Sequence, residues 1–214
     1  MLRLSDLSVS YGTGHAQTTP ISSLNASFLP GSTAITGPSG SGKSTLMRVL
    51  AGIQQPSAGA ATLDRRPLAY RGGVTDRRVS FIHQDYRLID FLTVGENIQL
   101  ASSVRGLSCH AADISNALSD VDLEGYADRW PATLSGGEQQ RVAIARALAL
   151  ETRVVLADEP TGALDADNSR AVAQLLRRCA EKGAIVVVAT HDADVASMMD
   201  CQFRLASGIL CEVS

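Results

Sequence analysis

Gly37-Pro38-Ser39-Gly40-Ser41-Gly42-Lys43-Ser44-Thr45 satisfies the pattern G-x-x-x-x-G-K-[ST], and the rest of the chain is read outward from it. Its glycines let the backbone curl until successive N–H groups face inward, just ahead of a helix whose positive end points the same way. A loop of this kind holds the phosphates of a nucleoside triphosphate. Lys43 reaches the β- and γ-phosphates as a point charge, Ser44 is placed to ligate Mg²⁺, and Thr45 adds a phosphate contact. The flanks agree: Thr33-Ala34-Ile35-Thr36 reads as a short buried strand, and Thr45 to Ala51 has helical spacing.

The bulk numbers narrow the partners. With 214 residues the chain is long enough for one well-buried domain with an inserted lobe. A net charge of −3 and 4% aromatics argue against a basic groove or a base-stacking platform, so no nucleic-acid partner is expected. The most apolar stretch, Gly183 to Thr190, is far too short to cross a bilayer, and Met1 to Ser5 lacks the features of a signal peptide. A cytoplasmic protein is expected. Cys109, Cys179, Cys201 and Cys211 show no CxxC spacing and read as apolar or surface residues.

Before the loop, Leu2/Leu4 and Leu7/Val9 alternate with polar residues as a strand does, up to Tyr11 and the Gly12-Thr13-Gly14 break. Tyr11 is either a core-edge aromatic or a platform for a flat base. His15 has no evident role. Ser23 to Phe28, Ala60 to Leu63 and Val79 to Ile82 are further predicted strands. The last runs into His83-Gln84, a polar pair that either caps the sheet or faces a ligand, since ligands bind at the carboxyl ends of parallel strands. Leu88 to Leu134 is helix-like, with Val94–Ile98 and Ile114–Val121 as amphipathic stretches, and ends at Trp130-Pro131. It predicts an inserted helical lobe over 88–134, with Trp130 read as packing.

Leu134 to Arg141 then opens a helix with Ser135 as N-cap; taken alone, this is only a capped helix start. Val154 to Ala157 is a buried strand that delivers Asp158 and Glu159 to its carboxyl end. Adjacent carboxylates there are costly unless solvated, paired or bound to a cation. Beside a P-loop they form the Walker B arrangement, with the aspartate on Mg²⁺ and the glutamate on the attacking water. Asn168 to Ala180 is a predicted helix, and Ala184 to Ala189 a strand ending at Thr190-His191-Asp192. His191 is either structural or a donor toward a γ-phosphate. Phe203–Leu205 and Ile209–Val213 form a closing hairpin around Ser207-Gly208.

With these motifs in one order, the chain resembles an ATP-binding cassette (ABC) ATPase subunit over essentially its whole length. The resemblance implies a P-loop NTPase α/β fold: a mostly parallel core sheet flanked by helices, an N-terminal antiparallel β subdomain and an inserted α-helical subdomain. On that basis 1–87 and 135–214 form the catalytic core with the β subdomain, and 88–134 the helical subdomain. Tyr11 corresponds to the adenine-stacking aromatic, and Gly37, Ser39, Gly40, Ser41, Gly42, Lys43, Ser44 and Thr45 belong to the Walker A loop. Gln84 is the glutamine that joins the metal site to the membrane subunit, and Asp165 belongs to the D-loop. Ser135, Gly136, Gly137, Glu138 and Gln139 form the signature that meets the ATP of the opposite subunit. The implied catalytic set is Glu159, His191, Lys43 and Gln84; the implied Mg²⁺ set is Ser44, Gln84 and Asp158.

The same resemblance implies ATP and Mg²⁺ as cofactors, a second ABC ATPase subunit, most simply another copy of this chain, and integral membrane permease subunits. The chain would sit on the cytoplasmic face of the membrane through the permease. Asp158 to Asp165 and Leu134 to Arg141 look like the group containing lipoprotein-release, macrolide-efflux, haem-efflux and cell-division ATPases. That favours export or mechanotransmission for a hydrophobic or amphipathic molecule. A regulator of a membrane partner that moves no substrate, or an importer ATPase, is the alternative.

Overall fold

Alternation along the strands sorts the apolar residues of this protein into two layers. The computed structural model describes residues 1–12 and 18–213; Thr13, Gly14 and His15 lie outside the described residues. β1 (Leu2–Tyr11) points Leu2, Leu4, Leu7 and Val9 inward and pairs antiparallel with β2 (Thr18–Phe28) and β4 (Ala58–Leu63). The short β5 (Arg66–Pro67) completes a four-stranded sheet in the order β2-β1-β4-β5. β2 starts at Thr18 rather than Ser23 because Ile21 and Thr18 pair with Val9 and Tyr11. Pro20 is tolerated there since β2 lies at the sheet edge, where a missing N–H costs no ladder bond.

The second sheet is built from β3 (Gly31–Thr36), β6 (Val79–Ile82), β7 (Val154–Asp158), β8 (Ile185–Ala189) and the hairpin β9 (Cys201–Ala206) and β10 (Ile209–Val213). Its order is β10-β9-β3-β8-β7-β6, and every neighbouring pair is parallel except β9 with β10. Strands covered on both faces read as near-continuous apolar runs, as Val154-Val155-Leu156-Ala157 and Ile185 to Ala189 do. Val154, Leu156, Ile185 and Val187 turn toward α1 (Lys43–Leu50), whose Leu46, Met47, Val49 and Leu50 fill the space beneath the antiparallel sheet. Val155, Ala157, Val186 and Val188 face the helical side. Each fully buried aliphatic side chain there stabilises by about 1.5–3 kcal/mol relative to exposure.

That helical side carries α2 (Val94–Val104), α3 (Ala111–Ser119), α4 (Gly136–Leu148) and α5 (Ala166–Glu181). Val94, Ile98, Ile114 and Leu118 share one cluster with Val142, Ile144, Val172 and Leu176, so α2 and α3 are packed onto the core. Helix ends at Ser119, and turns and a 3-10 segment (Pro131–Thr133) occupy much of the stretch to Leu134. Trp130, read from sequence as packing, is instead 48% exposed. It precedes Pro131, which favours extended backbone and no helical face to bury. A short α6 (Ala193–Ser197), capped by Asp192, was not foreseen. Among the described residues no helix is long and apolar enough to cross a membrane.

Candidate active site

Parallel register brings the dispersed motifs to one edge. Ile35 of β3 and Asp158 of β7 both lie opposite Ala189 of β8, and Ile82 of β6 lies opposite Ala157. The residues that follow these positions therefore emerge together at the carboxyl edge of the sheet, where open α/β sheets bind ligands. They are the 37–42 loop, Glu159, His191 and Gln84.

The loop is shaped by close approach. At Gly37 φ is +153°, and a Cβ would overlap the Leu205 carbonyl oxygen on the neighbouring β9. Gly42, the N-cap of α1, has φ +101°, and a Cβ there would lie 3.0 Å from the Pro20 carbonyl oxygen. Only glycine satisfies such φ values without strain. Lys43, 8% exposed, donates from Nζ to the carbonyl oxygens of Gly37 (2.8 Å) and Pro38 (3.4 Å) and sits 3.7 Å from Glu159 Oε1. A buried ammonium with one distant carboxylate retains the capacity to bind another anion.

Ser44 Oγ donates to Asp158 Oδ1 at 3.2 Å. Burial pushes the Asp158 carboxyl above its ordinary range, against the Ser44 hydrogen bond and with help from the charge of Glu159. Glu159 adopts φ +49°, and its N–H donates to the Ala189 carbonyl oxygen at 2.8 Å, which fixes the start of its side chain. Glu159 Oε2 meets His191 Nδ1 at 2.8 Å and accepts the His191 backbone N–H at 3.3 Å. A cavity of about 660 Å³ is lined by Tyr11, Thr18–Pro20, Ser39–Thr45 and Glu159. Tyr11, 43% exposed, donates its hydroxyl to Gln54 Oε1 at 2.7 Å and stands 3.4 Å from Thr45 Oγ1.

Gln84 reaches the same edge without bonding to the cluster, and the remaining expected residues stand apart from it. Gln84 is exposed; its Nε2 lies against Gly162 and bonds to neither Ser44 nor Asp158. Ser135 caps α4 and accepts the Glu138 N–H, while Glu138 Oε2 takes the Ser135 N–H and hydroxyl at 2.8 Å each. These donors, Ser135 N–H first, and the Tyr126 hydroxyl at 2.9 Å hold the Glu138 carboxyl below its ordinary range. Gln139 Nε2 donates to the Pro131 and Leu134 carbonyl oxygens. None of Ser135, Gly136, Gly137, Glu138 or Gln139 lines the Lys43 cavity.

Asp165 caps α5 and binds Asn168 twice, at the backbone N–H and at Nδ2, both at 2.8 Å. A Cβ on Gly137 would lie 2.7 Å from Asn168 Oδ1, so Asn168 couples Asp165 to the start of α4. Asn168 and Gln54 were missed from sequence. The D-x-x-N capping spacing pointed to the first, and nothing local pointed to the second.

Comparison with known proteins extends the likeness beyond motifs. A family model described as "ABC transporter" matches residues 22–162. The chain is 38% identical over 220 residues to a lipoprotein-releasing system ATP-binding protein, LolD 1, of Rhodopirellula baltica, covering 98% of this chain and 96% of that one. It is 37% identical over 223 residues to the macrolide export ATP-binding/permease protein MacB of Marinobacter nauticus, of which it spans 34%. Among solved structures, the dimeric cassette MJ0796 matches with a TM-score of 0.87 at 32% identity, over 100% of this chain and 98% of that one. The same cassette has also been solved as a dimer in a post-hydrolysis state bound to ADP and Pi.

Proposed function

Because the chain belongs to the ABC transporter family and is an ATP-binding, ATP-hydrolysing subunit, we propose that it drives a separate membrane permease that exports or releases an amphipathic cargo of the lipoprotein or drug class. Likeness along nearly the full length of a lipoprotein-releasing subunit supports the cargo class. The observation that carries the chemistry is the convergence of Lys43, Ser44, Asp158, Glu159 and His191 at one sheet edge.

In this reading Lys43 leaves the loop carbonyls for the β- and γ-phosphates, joined by the inward N–H groups of the loop and the positive end of α1. Tyr11 stacks on the base. The Ser44–Asp158 pair fits Mg²⁺: a hydroxyl and a desolvated carboxylate 3.2 Å apart offer two hard oxygens, leaving the remaining positions to phosphates and water. When bound, Mg²⁺ neutralises charge on the β- and γ-phosphates. Glu159, held by His191 Nδ1, orients the attacking water, and the freed Lys43 and His191 stabilise the transferring phosphoryl group. Gln84, exposed beside Gly162, carries the state of the site toward the permease.

Ser135 and Gly136 are exposed at the start of α4 yet contribute nothing to the cavity of their own chain. That separation supports a head-to-tail dimer in which Ser135 to Gln139 complete the ATP site of a second cassette, with Asp165 and Asn168 beneath them. Moving such a clamp from open to closed needs about 5.5 kcal/mol of differential binding, or roughly half per ATP when two share it. The subunit would work on the cytoplasmic face of the membrane. Affinity purification of the tagged chain from gently solubilised membranes, with mass spectrometry and ATPase assays before and after separation, tests the assignment. A stoichiometric multi-span partner supports it; full ATPase activity with no membrane partner refutes it.

A further inference from the structure

A groove of about 540 Å³ that shares no lining residue with the Lys43 cavity opens between the β5 loop and the end of α2. Its charged lining consists of Arg66, Arg71, Arg77, Arg78, Arg105 and a single acid, Asp76. That is five cations against one anion in a chain whose net charge is −3. Arg78 is spoken for. It grips Asp76 through Nε (3.0 Å) and a terminal nitrogen (2.8 Å) and reaches the Leu63 and Pro67 carbonyl oxygens.

The other four have no carboxylate partner among the described residues. Arg105 donates only to the Arg77 carbonyl oxygen, at 3.5 Å; burial lowers its pKa, and the charge of Asp76 offsets part of that. Four guanidinium groups around one concavity repel one another, and an anion seated among them would relieve that repulsion. The fork of a guanidinium matches a phosphate in particular. Gly72 and Gly73, with φ of +62° and +88° and nothing within 4 Å of a Cβ, leave the backbone beside Arg71 open to close approach.

Two features distinguish between phosphate-bearing ligands. The lining holds no aromatic ring, so nothing there stacks a base. Val74 and Val104, 57% and 72% exposed, form apolar shoulders beside the arginines. A cationic pocket with apolar rims suits a molecule carrying phosphate and hydrocarbon together. We propose that this groove seats the phosphate headgroup of an anionic phospholipid, anchoring the subunit directly to the leaflet alongside its permease. The phosphate chemistry stands on the groove alone; the lipid source rests on the membrane-face placement under Proposed function.

The test uses the full chain and no permease, so its outcome is separate from that of partner recovery. Flotation with vesicles of phosphatidylcholine, with and without phosphatidylglycerol, is compared for the native chain, Arg71→Ala/Arg77→Ala, Arg71→Lys/Arg77→Lys and Lys43→Ala. Both changed arginines are exposed, and neither belongs to the nucleotide site, so ATP binding monitors folding. Binding should require phosphatidylglycerol and weaken about thirtyfold in the double alanine variant, roughly fivefold per arginine. It should weaken less in the lysine variant, which keeps the charge but not the fork, and be unchanged in Lys43→Ala. Equal flotation on neutral vesicles, or undiminished binding by the double alanine variant, overturns the proposal. So does saturation of the groove by inorganic phosphate without vesicle binding, which would make the anion a soluble one.

Discussion

Replacing Glu159 by glutamine separates two roles that the geometry gives one side chain. Its carboxylate, 16% exposed, holds His191 Nδ1 at 2.8 Å and faces the Lys43 ammonium at 3.7 Å. Glutamine keeps the shape and an oxygen for the histidine but removes the charge. A positioned base contributes about 10²–10⁴-fold, so turnover should fall by that factor, roughly 2.7–5.4 kcal/mol of barrier. Binding should move the other way. Unit charges 3.7 Å apart attract by about 4.5 kcal/mol at an effective dielectric near 20, of which pairs in contact with solvent retain roughly 1 kcal/mol.

Released from that pull, Lys43 should bind the triphosphate about fivefold more tightly, and the unhydrolysed nucleotide should trap a dimer. Phosphate release, equilibrium ATP binding and size-exclusion chromatography read the three effects. Glutamine is no worse than glutamate at the left-handed φ of residue 159, so stability should stay within about 0.5 kcal/mol. Native turnover with unchanged ATP affinity would refute both the water-orienting role and the Lys43–Glu159 competition.

Further expectations concern the scaffold. Gly37→Ala places a Cβ on the Leu205 carbonyl oxygen at an unfavourable φ; it should destabilise by about 3 kcal/mol or more, read from the urea midpoint, and a native midpoint would contradict the close approach. Ser135→Ala removes the cap of α4 and should cost about 1 kcal/mol, a few degrees of Tm, while Ser135→Thr keeps most of it. Asp76 is raised by burial, but its bonds from Arg78 and the Ala69 N–H prevail and hold it at about 2, against an ordinary 3.8. A depressed carboxyl contributes stability that is full above its unfolded pKa and lost as pH falls through the folded one. Denaturant titrations from about pH 5 to pH 2 should show that loss, roughly 1–2 kcal/mol after solvent screening, and Asp76→Asn should abolish it.

Most of the chemistry was legible because its signals are local. The P-loop, the Asp158-Glu159 pair and the Ser135 cap each lie within a few residues and depend on backbone geometry that neighbours dictate. Strands β3, β7 and β8 were legible for a similar reason: burial on both faces leaves continuous apolar runs. What failed was longer in range. The first residues of β2 are polar and contain Pro20, and become strand only because β1 supplies a partner. The stretch after Ser119 keeps Val121 and Leu123 buried in the core but does so through turns rather than a helix, and Trp130, beside Pro131, stays exposed.

Residue types at short spacing thus marked the phosphate loop, the adjacent carboxylates Asp158 and Glu159, and membership of an ABC ATPase lineage. Tertiary structure alone decided that Lys43, Asp158, Glu159 and His191 meet. The sheet order β3-β8-β7-β6 does not follow the chain, and parallel register across distant segments is set by hydrogen bonding and two-sided burial rather than by neighbours in sequence. It also decided that Asn168 buttresses Gly137, that Ser135 to Gln139 do not line the Lys43 cavity of their own chain, and that five arginines between β5 and the end of α2 line one groove in a chain of net charge −3. Charge converging across space leaves no trace in composition, because a net charge sums over a surface whose geometry it does not contain.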